Sequence, residues 1–97
     1  MAYLSDMQLR NIGFKRLGND VKISDKASIY NPELIEIGDN SRIDDFCVLS
    51  TGKGGIEIGN YVHIAIFSSL QGEGKITLQD FVGISSKVSV YSSNDDY

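Results

Sequence analysis

The chain repeats a short pattern in which an aliphatic residue, a variable residue and a second aliphatic residue precede a turn. Eleven such triplets lie between positions 21 and 90. Of the 22 flanking positions only Ser41 and Ser68 are not apolar, whereas only Val48 is clearly apolar among the 11 middle positions. This alternation has the period of two that places successive side chains on opposite faces of a β-strand. The triplets therefore predict eleven short strands whose flanking residues point inward.

The spacing of the triplets predicts how these strands are arranged. Three residues separate consecutive triplets twice, as in Ser24-Asp25-Lys26, and a gap of five or six residues follows, as in 50–55. Equivalent positions recur every 20 or 21 residues, at Val21, Ser41, Val62 and Val82. A chain that turns three corners and returns above its starting point is a triangular parallel β-helix, with coils stacked about 4.8 Å apart. We expect about three and two-thirds coils.

The first twenty residues differ from the repeats. Ser5 can cap a short helix, Asp6 suits the positive end of its dipole, and Gly13 can end it in a left-handed conformation. Such a helix would cover the open top of the prism and its unpaired backbone groups. We therefore assign residues 1–20 to an N-terminal helix with its connection, Phe14 to Asp20, and residues 21–97 to the β-helix domain.

Composition narrows the class of protein. The 97 residues suit one small domain, and a net charge of −4 with a pI of about 4.7 provides no basic stripe for nucleic acid or an anionic membrane. The single Cys47 cannot form an internal disulfide, and residues 1–13 lack the apolar core of a signal peptide. We expect a soluble cytoplasmic protein without a nucleic-acid or membrane partner.

Three stretches carry a resemblance to a known family. Residues 37–43, 58–65 and 78–84 read IGDNSRI, IGNYVHIA and LQDFVGI. They resemble the hexapeptide repeats of left-handed β-helix acyltransferases, particularly the sugar O- and N-acetyltransferases of polysaccharide biosynthesis, over roughly residues 14–97. The resemblance implies an all-β, left-handed triangular parallel β-helix with a short N-terminal capping helix. It also implies acetyl transfer from acetyl-CoA to a hydroxyl or amine of a sugar or nucleotide sugar, in homotrimers with active sites between prisms.

His63 is the candidate catalytic residue, because acyl transfer benefits from a base near neutrality and His63 is the only histidine. As the middle residue of its triplet it points outward, where it could reach a substrate held against another subunit. The alternative is a solvated surface histidine. Without a second histidine or cysteine beside it, we predict no metal site.

Asn94, Asp95 and Asp96 are the candidate substrate-binding residues. They follow the last strand where earlier coils carry their longer loop, so they could line the acceptor pocket and bind sugar hydroxyls or an amine. The alternative is a frayed acidic terminus.

The remaining polar and aromatic positions are interpreted structurally. The pairs Asp44-Asp45 and Asp39-Asn40 are expected at corners, where short polar side chains accept turn geometry, and Cys47 is expected in the core. Aromatic residues recur at equivalent corners, Tyr61 with Phe81 and Phe46 with Phe67, where they can stack or form a subunit interface.

The length of the chain leaves two functional readings open. Members of the family usually continue for several more coils, which contribute much of the coenzyme A site. The chain is then either the N-terminal part of a longer acetyltransferase or a short relative. The alternative to an enzyme is a non-catalytic β-helix scaffold or an inactive truncated acetyltransferase.

Overall fold

A computed structural model describes residues 2–93 of the chain. Within these residues one short helix, α1, precedes twelve short strands, and a single 3₁₀ turn, Pro32–Leu34, interrupts them. The bounds are α1 Asp6–Ile12, β1 Arg16–Leu17, β2 Lys22–Ile23, β3 Ser28–Tyr30, β4 Ile35–Ile37, β5 Arg42–Ile43, β6 Val48–Thr51, β7 Ile56–Ile58, β8 His63–Ile64, β9 Ser69–Gly72, β10 Ile76–Leu78, β11 Gly83–Ile84 and β12 Ser89–Ser92.

The strands form three parallel sheets, one on each face of a triangular prism. Their orders are β1-β4-β7-β10, β2-β5-β8-β11 and β3-β6-β9-β12. Every third strand therefore pairs with its equivalent in the next coil, which gives four coils. The left-handed parallel β-helix expected from the sequence is confirmed.

The first coil begins earlier than the sequence analysis expected. The presumed connection from Phe14 to Asp20 contains β1, whose Arg16 pairs with Glu36 and whose Leu17 pairs with Ile37. This register puts Lys15 opposite Ile35, at a position that is aliphatic in the other coils. The aliphatic pattern is therefore broken in β1. The described residues thus form four coils, one strand more than the eleven triplets predicted.

The core is the column of inward residues that the triplets predicted. Ile23, Ile43 and Ile64 are fully buried, whereas Ile84 in the last described coil is partly exposed. The hydroxyl groups of the two inward serines both form hydrogen bonds to backbone carbonyls. Ser41 Oγ donates to Gly59 O at 2.8 Å, and Ser68 Oγ donates to Ser85 O at 2.8 Å. Each also accepts a backbone N–H from the following coil, so neither buries an unpaired polar group.

Helix α1 closes the top of the prism, as expected. Ser5 and Gln8 form a capping box, and Gly13 ends the helix at a φ of 94°. Leu9 is buried against the core, and Leu4 N donates to Ile23 O at 2.9 Å. Within residues 2–93, no helix is long and apolar enough to cross a membrane.

A ladder of side chains holds the corner that precedes β2, β5, β8 and β11. Asn60 Oδ1 accepts the Asp39 N–H at 2.7 Å, and Asp80 Oδ1 accepts the Asn60 N–H at 2.8 Å. Each carbonyl or carboxylate oxygen occupies the space where a Cβ on Gly38 or Gly59 would stand. The glycine of the Ile-Gly-Asp-Asn turn is required for this close approach.

The aromatic corner residues form two parallel stacks. The ring centroids of Tyr61 and Phe81 are 5.3 Å apart, and those of Phe46 and Phe67 are 5.2 Å apart. All four have φ values between 55° and 66°, which non-glycine residues rarely adopt. Stacking between coils offsets part of the cost of that conformation.

Candidate functional site

The outer surface of the β2-β5-β8-β11 sheet presents a column of nitrogen-bearing side chains. Lys22 pairs with Arg42, Arg42 pairs with His63, and His63 pairs with Gly83 in consecutive coils. Each is the middle residue of its triplet and points away from the core. The phase predicted for Arg42, His63 and Gly83 is confirmed, and the side chain of His63 is 43% exposed.

A buried carboxylate joins two members of this column. Asp44 lies two residues after Arg42, and its side chain is only 8% exposed. Its Oδ2 lies 2.8 Å from His63 Nε2, and its Oδ1 lies 3.1 Å from Arg42 Nε. The Oδ1 contact does not have hydrogen-bond geometry, so this buried oxygen has no hydrogen-bond partner among the described residues. Asp44 and Arg42, which lie on one coil, thus both contact the imidazole of His63 on the next coil.

The two contacts of His63 Nε2 require different tautomers of the imidazole ring. Arg42 Nη2 lies 2.8 Å away and can only donate, whereas the Asp44 carboxylate at 2.8 Å can only accept. In one state Nε2 carries the proton and Nε2–H donates a hydrogen bond to Asp44, which leaves the lone pair on Nδ1. In the other state Nε2 accepts from Arg42, and Nδ1 carries the proton. Only the first state provides a basic Nδ1.

A surface groove of about 560 Å³ lies along the upper part of this column. Its lining combines the column with the corner before it. The lining residues are Asp20, Lys22, Asn40, Ser41, Arg42, Tyr61, Val62 and His63. The volume is within the range of small-molecule sites, about 300–1,000 Å³. Cations, a carboxylate and an exposed aromatic ring therefore line one groove.

Sequence reasoning missed the role of Asp44. It assigned both Asp39 and Asp44 to corners. The structure confirms a corner position for Asp39, whose backbone and side chain bond to neighbouring coils, and it additionally places the Asp44 side chain against His63. The signal was present in the repeat: Arg42 and His63 are equivalent positions of neighbouring coils, and Asp44 follows Arg42 at the next outward position. That Asp44 turns toward His63 depends on side-chain direction, which periodicity does not determine.

The other candidate residues fall elsewhere. Asn94, Asp95 and Asp96 lie outside the described residues. Cys47 is buried in the core, as predicted; its Sγ donates to Ala65 O at 3.1 Å, and burial raises the pKa of its thiol. In residues 2–93, no cluster of three or more His, Cys, Asp or Glu side chains could hold a metal ion.

The chain is similar to an acyltransferase. It is 59% identical, over all 97 residues, to the dTDP-4-amino-4,6-dideoxy-D-glucose acyltransferase of Escherichia coli. The match covers 50% of that enzyme, so the chain spans about half the length of this relative. No model of a known protein family matches the chain.

Solved structures agree with this relationship. AntD, an N-acyltransferase from Bacillus cereus in complex with dTDP and 3-hydroxybutyryl-CoA, is 49% identical with a TM-score of 0.87. The match covers 92% of this chain and 46% of AntD. An AntD variant in complex with dTDP-4-amino-4,6-dideoxyglucose and coenzyme A is 47% identical, with a TM-score of 0.82 and the same coverage of both chains. The resemblance to β-helix acyltransferases is confirmed.

Proposed function

We propose that this chain supplies the acceptor-binding coils of an acyl-CoA-dependent N-acyltransferase, with a dTDP-linked 4-amino-4,6-dideoxyglucose as acceptor. One observation carries the proposal: the chain is 59% identical, over its whole length, to an enzyme named for that acceptor. The groove beside the only histidine supports it, because the groove has a size and polarity suited to part of a nucleotide sugar. The acceptor atom is then an amine nitrogen, which narrows the hydroxyl or amine expected from the sequence.

The reaction requires the removal of one proton. The amine lone pair attacks the thioester carbonyl carbon, a C–N bond forms, the C–S bond breaks, and coenzyme A leaves through its sulfur. The nitrogen loses a proton during this sequence, and the departing sulfur can take one up. A positioned base accelerates such a transfer by about 10²–10⁴-fold.

His63 is the base in this proposal. When Nε2–H donates to the buried Asp44 carboxylate, the free lone pair is on Nδ1, and the imidazolium formed after proton uptake is stabilised by the same carboxylate. Asp44 is a positioning residue, because it acts through His63. Asn94, Asp95 and Asp96 remain candidates for contacts with the acceptor.

The donor and the assembly complete the proposal. We propose acetyl-CoA as the donor, with no metal, in a cytoplasmic homotrimer. The 3-hydroxybutyryl-CoA bound to AntD makes a longer acyl group the alternative donor to compare.

The test uses a chimera in which this chain replaces the half of the Escherichia coli acyltransferase that it matches. The chimera and the parent enzyme are assayed with dTDP-4-amino-4,6-dideoxyglucose and either acetyl-CoA or 3-hydroxybutyryl-CoA, and released coenzyme A is measured with a thiol reagent. The corresponding dTDP-6-deoxyglucose with a 4-hydroxyl serves as the control acceptor.

We expect amine-dependent release of coenzyme A by the chimera. A folded chimera that binds neither substrate, beside an active parent, would overturn the proposal and favour the non-catalytic scaffold. Turnover of the hydroxyl acceptor at the rate of the amine would instead contradict N-acylation.

A further inference from the structure

We infer that Arg42 sets the tautomer of His63 by moving between two positions, one on His63 Nε2 and one on the buried Oδ1 of Asp44. Arg42 is then a positioning residue, because it acts through the imidazole. The effect on the tautomer follows from the geometry of these three side chains. Its consequence for acyl transfer rests on the proposed function, in which Nδ1 of His63 is the base.

The first position of Arg42 is the one that the structure contains. Its Nη2 lies 2.8 Å from His63 Nε2, and it donates to that nitrogen when Nδ1 carries the proton. Asp44 Oδ2 then faces Nε2 at 2.8 Å without a proton between them. Oδ1 is buried and has no hydrogen-bond partner among the described residues. This arrangement is costly, because a buried charged acceptor lacks the hydrogen bonds that would offset its desolvation.

The second position requires a rotation of the guanidinium rather than a movement of the backbone. Arg42 Nε already lies 3.1 Å from Asp44 Oδ1, but the contact lacks hydrogen-bond geometry. A rotation that directs Nε–H at Oδ1 supplies the missing partner and carries Nη2 away from His63. Nε2–H of His63 can then donate to Oδ2, so both carboxylate oxygens are paired. Hydrogen bonds between ionised groups are stronger than those between neutral ones.

The surroundings allow the guanidinium to turn while the carboxylate stays fixed. The side chain of Arg42 is 46% exposed, whereas that of Asp44 is 8% exposed. Within residues 2–93, the ion pairs of Asp44 are with Arg42 and His63 alone, so no other cation competes for it. The tautomer of His63 is therefore coupled to the position of one side chain.

The first experiment identifies which ring nitrogen of His63 carries the proton. Because His63 is the only histidine, the ¹⁵N resonances of its ring in the labelled chain need no further assignment. Two-bond ¹H–¹⁵N correlation spectra are recorded at a pH where titration shows the imidazole to be neutral. Arg42→Met should raise the ratio of Nε2–H to Nδ1–H by about tenfold or more, because the charge-assisted bond to unprotonated Nε2 is lost.

Asp44→Ala should shift the ratio in the opposite direction, because it removes the acceptor of Nε2–H. The alanine fits, since Ala65 stands at the equivalent position of the next coil. Lys22→Met is the matched control: it removes a cation from the register partner of Arg42 and should leave the ratio unchanged. An unchanged ratio in folded Arg42→Met, or an equal shift in Lys22→Met, would overturn the inference.

The second experiment follows Arg42 itself, through the exchange of its Nε–H proton with water. The signal is the one that is missing in Arg42→Met. In His63→Ala the exchange should be slower than in wild type, because Asp44 is then the remaining partner of the guanidinium. In Asp44→Ala it should match the exchange of the exposed Arg16. Equal exchange in wild type and His63→Ala would show that Arg42 has one position and would refute the inference.

Kinetics of the chimera separate this inference from the proposed function. Arg42→Met should raise kcat, by no more than the factor by which the fraction of Nε2–H rises, whatever its effect on KM. Lys53→Met, an exposed position outside the groove, is the control and should not change kcat. A shifted tautomer with unchanged kcat would support the role of Arg42 and remove His63 as the base. A raised kcat with an unchanged tautomer would contradict the inference and leave the proposed function standing.

Discussion

In the proposed mechanism, His63 depends on Asp44 for the tautomer in which it can act as a base. Their 2.8 Å contact through Nε2 favours the tautomer with a free Nδ1, whereas the 2.8 Å contact of Arg42 with the same nitrogen favours the other tautomer. A carboxylate that is 8% exposed is a stronger acceptor than one in water, because fewer water molecules compete for it. The proposed catalytic role of His63 therefore depends on a residue of the neighbouring coil.

We predict that His63→Ala lowers kcat of the chimera by about 100-fold, because the base is lost. Asp44→Asn should lower kcat similarly and change the pH profile, because an amide no longer selects the tautomer with the proton on Nε2. The double variant should be no slower than His63→Ala, since the two residues act as one unit. Steady-state kinetics across pH measure all three.

Thr77→Ala is the matched control, an exposed middle position on another face of the prism. Turnover equal to wild type in His63→Ala would remove His63 from the mechanism and leave the amine to attack without a protein base. Additive losses in the double variant would show that Asp44 acts independently of His63.

Cys47 makes the alkaline stability of the fold sensitive to one thiol. Burial raises its pKa above the ordinary value of about 8.5, so the folded state binds the proton more tightly than the unfolded state. This contribution is complete below the unfolded pKa and is lost as pH rises through the folded pKa. We predict that the free energy of unfolding falls more steeply above about pH 8.5 in wild type than in Cys47→Ser.

Urea unfolding of both proteins across this range measures that difference. The serine variant should remain folded, because its hydroxyl can donate to Ala65 O as the hydroxyl of Ser68 donates to Ser85 O. Parallel pH profiles for the two proteins would mean that the Cys47 thiol does not contribute.

At the scale of the element, the strands are too short to hold their own conformation and depend on the corners between them. The corner ladder joins each turn to the next coil through a side-chain oxygen and a backbone N–H, at 2.7–2.9 Å. The glycine before each ladder residue makes that approach sterically possible.

We predict that Gly59→Ala destabilises the fold by about 1–3 kcal/mol, because its methyl group overlaps Asp80. Gly83→Ala is the matched control, since a methyl group there meets no atom within 4 Å. It should change stability by less than about 0.5 kcal/mol. Thermal unfolding by circular dichroism compares the two, and an equal effect would refute the role assigned to the ladder.

Periodicity predicted the β-helix well, because inward positions such as Ile43 and Ile64 carry a strong apolar signal in every complete triplet. It missed β1, where Lys15 replaces the first aliphatic residue of the triplet. The candidate site was only partly predictable. His63 was found as an isolated residue. The repeat places Asp44 close to His63 in the neighbouring coil, but the contact between their side chains depends on side-chain direction, which periodicity does not determine.

At the scale of the whole molecule, the described prism has a covered end and an open end. Helix α1 buries Leu9 over the first coil, whereas Ile84, Val88 and Val90 on the fourth coil are only partly buried. The half-exposed Phe46 and Phe67 stack along one edge. Apolar surface of this kind favours association.

We predict that the 97-residue chain is a homotrimer, with some tendency to stack through its fourth coil. Size exclusion coupled to light scattering measures the mass, and Phe67→Ser should reduce association through the aromatic edge. Lys26→Ser, at an exposed position of the same corner in the first coil, is the control. A stable monomer at micromolar concentration would contradict the prediction.

The third corner of the prism, between the end of one coil and the start of the next, shows where the chain tolerates a change of length. Ser50 pairs with Gln71 and Ile56 pairs with Ile76, so five residues separate the strand positions in one coil and four in the next. The strands on both sides stay in register despite the extra residue. The other two corners keep constant lengths in the described coils.

Insertions and deletions among homologues should therefore accumulate at this edge alone. A glycine inserted between Lys53 and Gly54 should lower the melting temperature only slightly, because a loop absorbs it at small entropic cost. The same glycine inserted between Asn60 and Tyr61 should prevent cooperative folding, because a shift by one residue turns Val62 and Ile64 toward solvent. Melting curves of the two insertion variants measure this difference. If only the second variant fails to fold, this edge of the prism is where new loops, and with them new specificities, can be added.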